Sequence, residues 1–124
     1  MEKVIEIDGQ KIPFKATGGT ARRYRLHFGR DLLKDFYRIA KEFDSAEDPF
    51  EAVDIQTLEN FAWVMAKTAN PELPPVAEWL EGFDPLSIIE AMEDILSVFA
   101  EGMGTAVASK NPMAAVGSGM GKGI

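Results

Sequence analysis

Apolar residues recur along this chain with two different periods. Val4, Ile5 and Ile7 precede Asp8-Gly9, and Ile12, Phe14 and Ala16 follow it at every second position. That pattern predicts a β-hairpin closed by a tight Asp-Gly turn. Pro13 has no N–H for a ladder, so its strand is expected at an edge, or with the proline nitrogen turned away from the partner strand. A lone hairpin is marginal in water and needs other elements to lean on.

Beyond the hairpin the period becomes that of helices. Thr17-Gly18-Gly19-Thr20 reads as a loop ending on Thr20 as N-cap; Ala21, Tyr24 and Phe28 then share a face until Gly29 offers a stop. A second helix begins near Asp31. Leu32, Leu33, Phe36, Ile39, Ala40 and Phe43 form its apolar stripe, with Lys34, Asp35, Arg38 and Lys41 expected on the wet side. Asp48-Pro49-Phe50-Glu51 has the form of a capping box and starts the next helical region. Leu58, Phe61, Ala62, Met65 and Ala69 make one face of a helix over about 56 to 69, ended by Asn70-Pro71, and Trp63 falls off that stripe. Pro74-Pro75 opens a short helix with Trp79 and Leu80. Asp84-Pro85 opens the most apolar helix, carrying Ile88, Ile89, Met92, Ile95, Leu96 and Phe99.

After Glu101 the pattern dissolves. Residues 102 to 124 hold six of the eleven glycines and too little spaced hydrophobicity to offset the entropy of ordering, so a flexible Gly/Ala/Ser/Met tail is expected there. The elements together predict an α+β fold: one domain over residues 1–101, a hairpin packed on four or five helices, followed by the tail.

Composition sharpens this in three ways. At 124 residues and 46% hydrophobic, the chain suits one domain with a real core. Cysteine is absent, which excludes disulfides, thiolate metal sites and cysteine nucleophiles and fits a reducing compartment. No apolar run approaches the ~18 residues of a membrane span, and the alternating charges of Met1-Glu2-Lys3-Val4-Ile5-Glu6 do not resemble a signal peptide, so the chain is expected to be neither secreted nor membrane-embedded.

The net charge of −7 disfavours attraction to nucleic acid or anionic lipid, but it conceals a division along the chain. Residues 1 to 41 carry ten Lys/Arg against five Asp/Glu, whereas residues 42 to 101 carry fifteen Asp/Glu and only Lys67. If the two segments form separate faces, head-to-tail contact between copies is favoured; otherwise the halves neutralise each other within one monomer.

The search for catalytic chemistry finds little. His27 is the single histidine, so a histidine metal cluster is impossible, and a nucleophile–histidine–acid triad would hang on this one residue. No serine lies in a Gly-x-Ser-x-Gly elbow. The acid pairs Glu47/Asp48 and Glu93/Asp94 point about 100° apart on a helix and read as a solvated face. Gly117-Ser118-Gly119-Met120-Gly121-Lys122-Gly123 lacks the spacing and the following helix of a phosphate loop. The expectation is a non-enzymatic protein with no cofactor and no metal.

One stretch stands out: Arg22-Arg23-Tyr24-Arg25-Leu26-His27-Phe28. A nucleic-acid reading has to be weighed here, but Tyr24 and Phe28 share a helical face and read as packing against the hairpin rather than as base-stacking groups. Arg22, Arg23 and Arg25 are then left for an acidic protein surface, of a sister subunit or another partner. Trp63 and Trp79 are the candidate aromatic contact residues; satellite-core packing is their alternative role.

The run Ile12-Pro13-Phe14-Lys15-Ala16-Thr17, the segment Thr20-Ala21-Arg22-Arg23-Tyr24-Arg25-Leu26-His27-Phe28-Gly29-Arg30-Asp31, the helix Leu58-Glu59-Asn60-Phe61-Ala62-Trp63-Val64-Met65-Ala66-Lys67, and Pro74-Pro75 followed by Glu78-Trp79-Leu80 together form a pattern over most of residues 1 to 100. In this pattern the chain resembles the tail assembly chaperones of long-tailed bacteriophages and prophages of low-GC Gram-positive hosts. The resemblance implies a small α+β protein acting in the bacterial host cytoplasm and absent from the mature virion. It implies binding and solubilising of the tape-measure protein, recruitment of tail-tube protein, and self-association. It also implies a second, longer product made by frameshifting near the end of the shorter frame. Ser109-Lys110-Asn111 and Gly121-Lys122 are the two places whose codons could slip; an ordinary terminus is the alternative. Two other functions fit the residues alone: a small DNA-binding regulator using residues 20–41, and a structural tail or head-completion protein.

Overall fold

The computed structural model describes residues 2–45, 47–48 and 54–110, with side chains described throughout except at Ser45 and at 103–110. Strands β1 (Glu2–Ile7) and β2 (Gln10–Lys15) pair antiparallel, in a register running from Ile7 opposite Gln10 to Glu2 opposite Lys15. Asp8 and Gly9 both take positive φ, 54° and 76°, as a type I′ turn requires. In such a hairpin the closing pair is hydrogen-bonded and the pairs then alternate, so Pro13 opposite Val4 falls at a non-hydrogen-bonded site. Its nitrogen faces away from β1, as its chemistry demands. Ile5, Ile7, Ile12 and Phe14 turn inward and are buried, while Glu2 and Glu6 face Lys15 and Lys11 across the outer surface.

Helix α1 (Gly18–Phe28) is capped one turn earlier than the sequence suggests. Thr17, not Thr20, is the N-cap: its hydroxyl accepts from the Gly19 N–H, and the Thr20 hydroxyl reaches back to accept from the Thr17 N–H. The two threonines form a capping box, and burying Thr20 makes that second bond valuable. Gly29, at φ 67°, ends α1 by donating its N–H to the Arg25 carbonyl.

Helix α2 (Leu32–Ser45) follows at once. The expected cap at Asp48-Pro49-Phe50-Glu51 lies largely outside the described residues. The next helix seen, α3 (Ile55–Ala69), is capped by Asp54, whose carboxylate accepts from the Gln56 and Thr57 N–H groups.

Helix α3 is the centre of the fold. Thr57, Leu58 and every residue from Phe61 to Ala66 are buried, because β2, α1, α2 and the later helices pack around it. Those helices are α4 (Val76–Leu80), α5 (Ser87–Glu90) and α6 (Met92–Lys110). The single helix expected after Asp84-Pro85 is divided at Ala91, whose φ of −92° and ψ of 7° leave the helical region. Helix α6 also runs past Glu101 to Lys110, where a flexible tail was expected; Asn111 and the glycine-rich remainder lie outside the described residues. The antiparallel hairpin on a set of helices is the α+β fold the patterning predicts.

The core is rich in aromatic edges. Phe61 lies between Tyr24, Phe36 and Phe99 at centroid distances of 5.6, 6.4 and 6.1 Å. Tyr24 packs edge-on against Phe61 of α3 and Phe28 of its own helix, within the same core as the inward residues of the hairpin.

Candidate functional site

Turning Tyr24 inward decides where the rest of the basic run points. Arg22, Arg25 and Leu26 come out on the far side of α1, and the Gly29 turn brings the start of α2 back beside them. Between the two helices lies a groove of about 520 Å³, lined by Ala21, Arg22, Arg25, Leu26, Arg30, Asp31, Leu32 and Leu33. Leu26 is 77% exposed and Leu33 is exposed as well, and the two share this one groove. Arg25 comes within 3.8 Å of Asp31, a surface pair of little energetic weight.

Arg23 takes no part in this groove. It faces α3, where its guanidinium donates to the Thr68 hydroxyl at 3.0 Å. Of the three arginines proposed from the sequence, two rim the groove and the third joins α1 to α3.

Beneath the groove sits a buried charge. Asp35 is 3% exposed, and it accepts two parallel bonds from Arg30, from Nε to Oδ2 and from Nη2 to Oδ1, each 2.7 Å. The buried Tyr24 hydroxyl donates to Oδ2 at 2.8 Å, and Arg38 Nη2 lies 3.5 Å from Oδ1. Bidentate guanidinium pairing of this kind holds helices in a defined register as well as adding energy. The Arg30 bonds bring the Asp35 carboxyl below its usual range; burial opposes this, and the Tyr24 hydroxyl and the charges of Arg30 and Arg38 reinforce it. Burial, and then the Asp35 carboxylate, push the Tyr24 hydroxyl well above the ordinary phenol value.

This clasp overturns the expectation that Asp35 lies on the wet face of α2. Its position falls between Leu32 and Ile39, on the apolar stripe, and its charge is tolerated there because Arg30 reaches in from the preceding turn. Arg38 extends the network by donating to the Thr57 hydroxyl at 3.2 Å near the start of α3. Next to it a more polar cleft of about 470 Å³ is bordered by His27, Arg30, Arg38, Asp54, Gln56, Thr57 and Asn60.

The two tryptophans proposed as exposed contacts are internal. Trp63 is 2% exposed: its indole N–H donates to the Pro74 carbonyl at 2.8 Å, and its ring meets the edges of His27 and Phe28 at 4.8 and 5.7 Å. Trp79 is 9% exposed and lies edge-on to Phe83 at 5.0 Å. Trp63 falls off the apolar stripe, yet α3 is covered on nearly every side, so the stripe is not its only buried face. The large apolar residues exposed at the groove are instead Leu26, inside the basic run, and Leu33, which the α2 stripe would have buried.

No family model, curated protein or solved structure matches this chain. What the site can do must come from its own geometry. Among the described residues no group of three or more His, Cys, Asp or Glu side chains could hold a metal ion, and no helix is long and apolar enough to cross a membrane. Exposed leucines rimmed by arginines are suited to contact with another protein, specifically with an acidic amphipathic helix.

Proposed function

We propose that the protein is a tail assembly chaperone, which holds an apolar, acid-flanked helix of the tape-measure protein on its α1–α2 groove. The observation that carries this is the exposure of Leu26 beside Arg22 and Arg25, in a groove whose Arg30 is tied to the buried Asp35. A chaperone of this kind must offer an apolar strip without aggregating, and the charged rim serves that end. The same surface would release the client to tail-tube protein as the tube forms, in the bacterial host cytoplasm and before the virion is complete. A DNA-binding role for residues 20–41 is less well supported: Arg30 is committed to Asp35 and Arg23 to Thr68.

Co-expression with the tape-measure protein of the same tail gene cluster tests the proposal. Wild type is expected to bring that protein into the soluble fraction and to co-elute with it. Leu26→Glu combined with Arg22→Glu is expected to abolish both while leaving the thermal midpoint within about 5 °C, since a surface change seldom exceeds about 0.5 kcal/mol. A tape-measure protein that stays insoluble with wild type, or is held equally well by the variant, contradicts it.

A further inference from the structure

A third exposed leucine lies in the opposite electrostatic setting. Leu86, 58% exposed, stands between α4 and α5 with the exposed carboxylates Glu81, Asp84 and Glu90 around it in sequence. No lysine or arginine occurs between Lys67 and Lys110. The segment that carries Leu86 is anchored to the hairpin turn: the Asp84 N–H donates to Asp8 Oδ2 at 3.2 Å, and the Gln10 amide donates to the Gly82 carbonyl at 3.0 Å. An anchored apolar knob set among acids therefore matches an apolar groove set among arginines.

We propose that the Leu86 segment docks into the Leu26/Leu33 groove of a second copy of this chain, joining copies head to tail. Knob and groove belong to different elements, so the contact is heterologous and each copy keeps one free knob and one free groove. Opposite charge favours the encounter, and apolar burial of the leucines holds it. In one respect the inference rests on the function proposed above: a client helix seated in the groove would displace the neighbouring copy, so assembly and client binding would exclude each other.

Sedimentation of the purified protein alone, without any client, tests the contact apart from the chaperone reading. Wild type is expected to grow in mass with concentration and to revert toward monomer at high salt. Leu26→Asp and Leu86→Asp should each weaken association at least tenfold, while circular dichroism shows both folded. An equimolar mixture of the two should give a dimer and nothing larger, because only one intact knob and one intact groove remain to meet. If Leu26→Asp fails to fold, Arg22→Glu with Arg25→Glu takes its place as the groove variant. A wild-type monomer at every concentration, a Leu86→Asp variant that still associates like wild type, or a mixture that stays monomeric overturns the proposal.

Discussion

Replacing Phe61 with alanine is expected to remove a large part of the stability of the fold, about 3–5 kcal/mol. Phe61 is almost wholly buried in the central helix, and its ring touches Tyr24 of α1, Phe36 of α2 and Phe99 of α6. Three elements therefore lose their common partner at once, and none can close the cavity without leaving another contact. Domains of this size are stable by roughly 5–15 kcal/mol, so the variant should unfold at a sharply lower urea concentration. A loss below about 1 kcal/mol would mean that the helices do not meet at this ring.

Asp35→Ala is expected to cost about 2–3 kcal/mol, for a different reason. Arg30 is half-exposed and can return its charge to water, but the Tyr24 hydroxyl is fully buried and would be left without its acceptor. The effect should depend on pH with a definite sign. The folded-state pKa of Asp35 lies below its ordinary value of 3.8, so its carboxylate stabilises the fold above that value and ceases to do so as pH falls through the lower folded one. The gap between wild type and Asp35→Ala should therefore be widest near neutrality and should close in acid. Glu59 acts in the opposite sense: burial raises its pKa above 4.5, so its charged form is penalised near neutrality and acidification relieves it. Urea melts of wild type and Asp35→Ala between neutral and acid pH check this; a gap that does not change with pH contradicts it.

Where sequence and structure agree, the local chemistry leaves one solution. Asp8-Gly9 between alternating apolar runs can close only as a tight turn with positive φ, and Gly29 stops α1 because it alone there takes φ 67° without strain. Where they differ, a distant partner decides. Asp35 has the spacing of a core residue and a charge that favours solvent, and Arg30, across a turn, neutralises that charge. Trp63 reads as exposed on a helix assumed to have one wet side, whereas α3 is enclosed by strands and helices that arrive from both ends of the chain. Thr20 reads as the cap, yet the helix starts one turn earlier at Thr17, because Thr20 is drawn inward against Thr68. For the candidate site, the arginines were legible as a basic run. The apolar groove they rim was not, because it exists only after Gly29 folds α2 back beside α1.

The claim on which the functional account turns is that the Leu26/Leu33 groove is the client surface. The chain contains no cysteine, so a single one can be placed at will and given a photo-crosslinker. Leu33→Cys places the probe at the groove, and Val4→Cys places it on the exposed outer face of the hairpin as a control. With tape-measure protein from the same gene cluster present, irradiation is expected to yield the cross-linked pair from position 33 and little from position 4. Equal yield from both positions, or cross-linking from position 4 alone, would contradict the account.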